Sequence, residues 1–345
     1  MQRDRVQFVE GVLNKYRSVT MKELLNLVPP REPRHYLYDL VAAYPKRAGK
    51  GLRPALCIAT CRAFKGDTAA AMNSAVAIEL LHNAFLVHDD VEDGSLFRRG
   101  LPTLHSEQGL AIAVNVGDAM NVLSIRALMR NLEGLGPALA WEVFAEIEHM
   151  VGQCVEGQAM ELGWIRDNVL DLSEEDYLRM NLKKTCWYTC IHPCRIGAMI
   201  GSGGSAELDR FNRFGYYMGA AFQIQDDVLN LVGDRRKYGK EIGGDIWEGK
   251  RTLILIHMLN RCSPFEKRRI RRFLALPRGD RTAREVRRIL ALMEELGSVD
   301  YARSMARQLA GAALREFFLA YAVAEESEHK AFVRDIVFYM VDREF

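Results

Sequence analysis

His82-Asn83-Ala84-Phe85-Leu86-Val87-His88-Asp89-Asp90-Val91-Glu92-Asp93 is an apolar stretch that runs into a cluster of acids. Apolar residues recur three and four apart back through Ala75, Ile78, Leu81, Phe85 and Leu86, which predicts a helix. A second stretch, Gly219-Ala220-Ala221-Phe222-Gln223-Ile224-Gln225-Asp226-Asp227-Val228-Leu229-Asn230, has the same character far along the chain. Aspartate is a poor helix former and costly to desolvate, so two acidic clusters in apolar helices require a compensating cation. Residues four apart share a helix face while neighbours diverge by about 100°, so Asp89 and Asp93 stack and Asp90 points aside. Hard oxygen donors without Cys or His among them suit Mg2+, which keeps waters and also binds substrate phosphate. An acidic pair on a helix is often only a solvated face, but here the flanks are apolar and the cluster occurs twice.

Outward from these stretches the helical period continues almost everywhere, for example through Ala111, Val114, Ala119, Val122 and Leu123. Strand signals are nearly absent. Breaks fall at Pro45 to Gly51, Gly100 to Pro102, Gly134 to Pro137, Gly201 to Gly204 and Pro277 to Asp280, and Ser173 before three acids predicts a helix start. The chain therefore reads as all-α, a single large bundle of roughly ten or more helices. Its 345 residues contain no Gly/Ser/Pro-rich linker and no internal repeat. One domain over 1–345 is expected, with the motif-bearing core at 46–260 and a helical extension at 1–45.

A formal net charge of +2 and the lack of a basic strip interleaved with aromatics argue against nucleic acid. There is no G-x-x-x-x-G-K-[ST] loop and no strand–glycine–helix unit, which excludes the common nucleotide sites. Seven cysteines and no apolar signal core fit a soluble, cytoplasmic protein with reduced thiols. The run Cys186, Cys190, Cys194 near His192 resembles a soft metal site, but Pro193 interrupts it, and buried thiols are the better reading. The basic stretch Glu266 to Arg288 reads chiefly as a solvated helix face, with weak contact to an anionic membrane as the alternative.

Carboxylates that hold metal imply a phosphorylated ligand, and cations accompany them. Gly49-Lys50-Gly51-Leu52-Arg53-Pro54 leads into a helix that Pro54 can begin. Arg98-Arg99-Gly100 follows the first acidic cluster, where guanidiniums can grip oxyanions bidentately. Lys183-Lys184-Thr185, Lys240 and Gly249-Lys250-Arg251-Thr252 complete the set.

These two acidic stretches, with Arg98-Arg99-Gly100-Leu101-Pro102-Thr103 after the first and Gly239-Lys240 and Gly244-Asp245 after the second, resemble the aspartate-rich regions of the trans-isoprenyl diphosphate synthases, the polyprenyl synthetase family. The resemblance runs from about Gly49 to Thr252. It implies the isoprenoid synthase fold, in which the bundle surrounds a central apolar cavity, and a homodimer. It also implies about three Mg2+ ions, with Mn2+ able to substitute, held by Asp89, Asp90 and Asp93 on one wall and by Asp226, Asp227 and Asp245 on the other. Arg98, Lys184, Lys240 and Lys250 would bind an allylic diphosphate. Lys50, Arg53, His82 and Arg99 would bind isopentenyl diphosphate, and Thr185 and Gln223 would lie beside the reacting carbons. Catalysis would rest on Asp89, Asp90, Asp93, Lys184, Thr185, Gln223, Asp226 and Lys240.

Asn230 stands where the family commonly has a third aspartate, so weaker metal binding on the second wall is expected. Gly51 replaces a residue that is often larger. Ala84 and Phe85 precede Asp89 by about one turn and are expected to set product length, the small residue opening the floor and the aromatic narrowing it. A C20 product, geranylgeranyl diphosphate, is expected, with C15 and C25 as alternatives. A class I terpene cyclase shares the ionisation chemistry but needs no isopentenyl site. A regulatory subunit would be expected to have lost an aspartate cluster.

Overall fold

The computed structural model describes residues 2–47, 49–233 and 243–342. Helices fill almost all of them, and the bundle expected from the period is what forms. The principal helices are α1 (Gln2–Leu27), α2 (Leu52–Ala63), α3 (Thr68–Glu92), α4 (Leu110–Met129), α5 (Pro137–Arg166), α6 (Glu174–Asn181), α7 (His192–Gly201), α8 (Arg210–Val232), a short α9 (Gly244–Glu248), α10 (Leu253–Arg261), α11 (Pro264–Leu274), α12 (Ala283–Glu295), α13 (Ser298–Ala320) and α14 (Glu328–Asp342). A π-helical segment, Leu182–Ile191, joins α6 to α7.

Helix α3 is apolar on most faces and lies in the middle of the bundle, as such a helix must. Asp67 caps it, its carboxylate accepting from the Ala70 amide at 2.7 Å. Helix α4 packs on one side of it and α2 on another, while α8 packs most extensively on α13 and on the π-helical segment. Ser173 caps α6 in a reciprocal capping box with Asp176, as its sequence predicts. Two apolar clusters adjoin, a larger one built on α2, α3 and α7 and a smaller one under α10, α11 and α12, and Leu309 packs against both.

Close approach to the π-helical segment depends on two glycines. A Cβ at Gly157 on α5 would lie 2.3 Å from the Lys184 amide nitrogen, and one at Gly219 on α8 would lie 2.8 Å from Cys186 Cα. The segment is thus wedged between α5 and α8, with Lys184 and Thr185 delivered to the space between the two acidic helices.

At the chain ends, α1 and α14 pack together over α2, and the Tyr16 hydroxyl lies 2.8 Å from His329 Nδ1. The N-terminal region is therefore docked on the core. By length and composition two helical stretches, Thr68–Glu92 and Leu110–Leu135, could cross a membrane, but 72% of the first stretch's most apolar window is buried in the bundle. In the basic stretch, Lys267 and Arg271 pair with Asp171, Arg269 with Glu285 and Arg288 with Glu266, so much of its charge is neutralised within the chain.

Candidate active site

A cavity of about 1320 Å³ opens between α3 and α8 and is walled on a third side by α5 and the π-helical segment. Asp89 and Asp93 line it from α3, and Asp226, Asp227 and Asp245 line it from the other side. Lys50, Arg53, His82, Arg98, Arg99, Lys184, Thr185, Gln223 and Lys250 line it too. Residues some two hundred positions apart, Lys50 and Lys250 among them, are thereby gathered in one cavity. Lys240 lies outside the described residues.

Charge in the cavity is closely balanced. Lys250 Nζ is 2.7 Å from Asp93 Oδ2 and 2.9 Å from Glu248 Oε2. Burial opposes the Asp93 carboxylate, but Lys250 and Lys184 outweigh it and hold its pKa below the usual range. Lys184 donates to Glu161, a buried acid on α5. Burial opposes the Lys184 charge as well, yet Glu161 and Asp89 more than offset it and raise its pKa. At Asp89 burial wins, pushing the carboxyl above its ordinary value against the pull of Lys184. A further cation beside Asp89 would relieve that cost.

Asp90 corrects an expectation. It is 1% exposed and does not line the cavity. Its Oδ1 accepts from Arg98 Nε at 2.6 Å and its Oδ2 accepts from the Tyr44 hydroxyl. The reason is helical geometry, because a residue adjacent to Asp89 is turned about 100° away. Asp90 holds Arg98 in place, and a metal ligand at this position is not supported. Arg98 and Arg99 sit on a small antiparallel hairpin, Phe97–Arg98 paired with Leu101–Pro102. Its turn residues Arg99 and Gly100 have φ of 54° and 77°, as a type I′ turn requires. Arg99 donates to the Arg47 carbonyl at 2.7 Å.

On α8, Asp227 also departs from the metal-ligand expectation. Both of its oxygens are taken, Oδ1 by Gln223 Nε2 at 2.8 Å and Oδ2 by the Tyr177 hydroxyl at 2.8 Å. Burial pushes its pKa up to about 7, the two hydrogen bonds acting against that rise. Asn230 does not line the cavity. Its Oδ1 accepts from the Asp245 amide at 3.1 Å, and its carbonyl accepts from the Gly243 amide at 2.7 Å. Asn230 therefore fastens the start of α9, which carries Asp245, and the expected loss of metal binding through this position does not follow.

At the other end of the cavity Arg53 is fixed by Tyr188 Oη at 2.7 Å, Thr189 Oγ1 at 2.9 Å and His82 Nε2 at 3.2 Å. Burial and the neighbouring Arg53 and Arg99 hold the His82 pKa well below its ordinary value, so its ring is neutral. With Nε2 accepting from Arg53, the proton sits on Nδ1. His82 Nδ1 and Arg53 Nε are both buried without a partner. Two orphaned donors beside Lys50 and Arg99 make a place for an anion. Gly51 has φ of 64°, the left-handed conformation that glycine adopts without strain, and so sets the entry to α2.

Among the described residues no three acidic, histidine or cysteine groups gather closely enough to hold one ion unaided. Mg2+ binds through one or two carboxylates and completes its shell with water and substrate phosphate, so Asp89, Asp93, Asp226 and Asp245 on facing walls fit that ion.

The apolar part of the cavity is lined by Phe85, Leu81, Leu128, Phe144 and Ile147, with Phe85 edge-on to Tyr188 at 5.7 Å. Ala84 is fully buried in the core and does not line it, which corrects the expectation that its small size opens the floor. Sequence reasoning missed Glu161, Tyr177, Tyr188 and Tyr44. Tyr177 stands two turns before Lys184 and Glu161 one turn after Gly157, spacings that place them near the site only once the π-helical segment is seated.

The polyprenyl synthetase family model matches residues 34–293. A short chain isoprenyl diphosphate synthase of Methanothermobacter thermautotrophicus is 31% identical over 97% of this chain and 99% of its own. A geranylgeranyl pyrophosphate synthase of Geoglobus acetivorans is 29% identical over 97% of this chain and 99% of its own. The crystal structure of geranylgeranyl pyrophosphate synthetase from Pyrococcus horikoshii superposes with a TM-score of 0.85 at 29% identity, covering 97% of this chain and 98% of that one.

Proposed function

This chain belongs to the polyprenyl synthetase family, and we propose that it is a prenyltransferase that condenses isopentenyl diphosphate head to tail with an allylic diphosphate, giving geranylgeranyl diphosphate. The observation that carries the reading is one cavity with two differently built anion sites. At one end aspartates from both walls face Lys184 and Lys250, as a metal-bridged diphosphate requires; at the other His82, Arg53, Lys50 and Arg99 offer donors, with Glu79 the acid beside them. A cyclase would need only the first.

Lys184, Lys250 and Arg98 bind the allylic diphosphate and orient its C1–O bond. Mg2+ held by Asp89, Asp93, Asp226 and Asp245 supplies, when bound, neutralisation of the charge that grows on the leaving diphosphate. The C1–O bond breaks and the electron pair leaves with diphosphate. Arg53, His82, Lys50 and Arg99 hold the second diphosphate so that its double bond faces C1, converting a bimolecular step into a local one. The new C–C bond forms, and the proton on the adjacent carbon passes to the released diphosphate. Phe85, Tyr188 and the apolar wall keep water from quenching the allylic cation.

Leu81, Leu128, Phe144 and Ile147 supply the far wall, with Phe85 above them, and a C20 product is the length we assign. The same two helices, α4 and α5, expose an apolar stripe outward, with Val122 64% and Trp141 71% exposed. Such a stripe fits burial against a second copy in a homodimer. The whole chain acts as one domain, and seven free thiols suit the cytoplasm.

The test is incubation with Mg2+, labelled isopentenyl diphosphate and, separately, C5, C10 and C15 allylic diphosphates, followed by chromatography of the dephosphorylated products. A C20 alcohol is expected. Another length would keep the reaction and move the floor, whereas hydrocarbon from the allylic substrate alone would replace the reading with a cyclase.

A further inference from the structure

A chain of hydrogen bonds in the cavity wall enters none of these steps. The Tyr177 ring is buried, and its hydroxyl is 2.8 Å from Asp227 Oδ2. Asp227 Oδ1 is 2.8 Å from Gln223 Nε2, and Gln223 Oε1 is 3.1 Å from Thr185 Oγ1. The direction of each bond is fixed by chemistry. The Tyr177 hydroxyl donates to one carboxyl oxygen, and the Gln223 amino group, which can only donate, gives a hydrogen to the other. The amide carbonyl then faces Thr185 and accepts the threonine proton. Thr185 Oγ1, on the cavity wall, is left with lone pairs and no hydrogen toward the cavity.

We propose that Tyr177 is a positioning residue which, through Asp227 and Gln223, orients the Thr185 hydroxyl so that it presents lone pairs to the positive charge developing on the allylic carbon. The inference rests on the condensation proposed above. Without the tyrosine hydroxyl one Asp227 oxygen loses its partner, the Gln223 amide is no longer held one way round, and the Thr185 hydroxyl is free to turn its hydrogen into the cavity. A hydroxyl hydrogen meets a cation with the wrong sign, and in a water-excluded site that difference is large. The arrangement also gives Asp227 a task that needs no metal.

Tyr177→Phe removes one oxygen and keeps the ring. With Mg2+ and both substrates, kcat should fall about ten- to hundredfold, the loss of one hydrogen bond to a charged group. KM for each diphosphate should stay within about twofold, because the interaction belongs to the transition state. In a Thr185→Val background the same change should add no further loss, since its effect passes through Thr185. Calorimetry supplies a readout without turnover. An ammonium analogue, with nitrogen in place of the cationic carbon, should bind Tyr177→Phe about tenfold more weakly than wild type, and its uncharged isostere equally well. Losses that multiply in the double variant, or an unchanged affinity for the ammonium analogue, would overturn the proposal. A wild-type protein that releases no prenyl product would overturn the condensation reading, and the calorimetry would still decide the role of Tyr177. Should Tyr177→Phe fail to fold in a thermal scan, Asp227→Asn makes the same comparison, because an amide there admits a flipped Gln223.

Discussion

On α3 the second acid of the motif, Asp90, turns back to hold a guanidinium; on α8 the second acid, Asp227, turns back to hold an amide. Both helices carry an adjacent acidic pair, and on both the second acid spends both of its carboxylate oxygens on neighbouring side chains. Helical geometry forces the split, since neighbours diverge by about 100°. What differs is the partner, and through it the function of the wall. On the proposed reading Arg98 behind α3 serves charge on the diphosphate, whereas Gln223 on α8 and Thr185 on the π-helical segment serve charge on carbon. The fourth-spaced positions differ as well, Asp93 meeting Lys250 in the cavity and Asn230 fastening α9.

The largest effect should come from removing the cavity-facing acid of the first wall. Asp89→Ala should lower kcat by about a thousandfold or more under saturating Mg2+, the scale of losing several kcal/mol of charge stabilisation. A fully active variant would refute the wall. Asp90→Ala tests the other half of the contrast, because it leaves Arg98 buried without its counter-charge. Chemical denaturation should show a loss of about 3–5 kcal/mol, and Asp90→Asn less. Equal stability in all three proteins would mean that Asp90 does not hold Arg98.

A partly buried acid away from both walls provides a reference. Glu146 on α5 accepts from Arg195 at 2.7 Å through both oxygens and from His192 Nδ1 at 2.8 Å. Burial opposes its charge, but those hydrogen bonds win and hold its pKa at about 2 against an ordinary 4.5. A depressed carboxyl stabilises the fold fully above the unfolded value and loses that contribution as pH falls through the folded one. Between pH 4.5 and 2 the wild type should therefore lose at most about 3 kcal/mol that Glu146→Gln does not lose over the same window. Parallel pH–stability curves for the two proteins would sink this assignment. The smallest effect is expected at Asn230. An aspartate there would still accept from the Asp245 amide at a helix start, so Asn230→Asp should change kcat by less than about fivefold. A large gain in Mg2+ affinity would restore a ligand role to this position.

Much of this was legible in the chain. The period of the apolar residues gave the helices, and two acidic clusters with attendant cations gave the facing walls. The aside orientation of Asp90 also followed from helical spacing, although its partner did not, because Tyr44 and Arg98 reach it from a loop and a hairpin. Ala84 was misread because a residue's rotation about its helix depends on which side meets the core, and α3 is apolar nearly all round. Tyr177 and Glu161 were missed for a related reason: their approach to the site depends on where the π-helical segment lies, which no local pattern encodes. Asn230 looked like a weakened ligand only while α9 was out of view.

The glycine seams at 157 and 219 have an evolutionary consequence. They seat the segment that carries Lys184 and Thr185, to which the proposed reaction gives the leaving group and the cation, so a side chain at either seam would disturb both at once. The apolar residues to which we assign product length belong to α3, α4 and α5, outside that segment. Descent within such a scaffold is then free to drift in product length while its ionisation chemistry stays fixed.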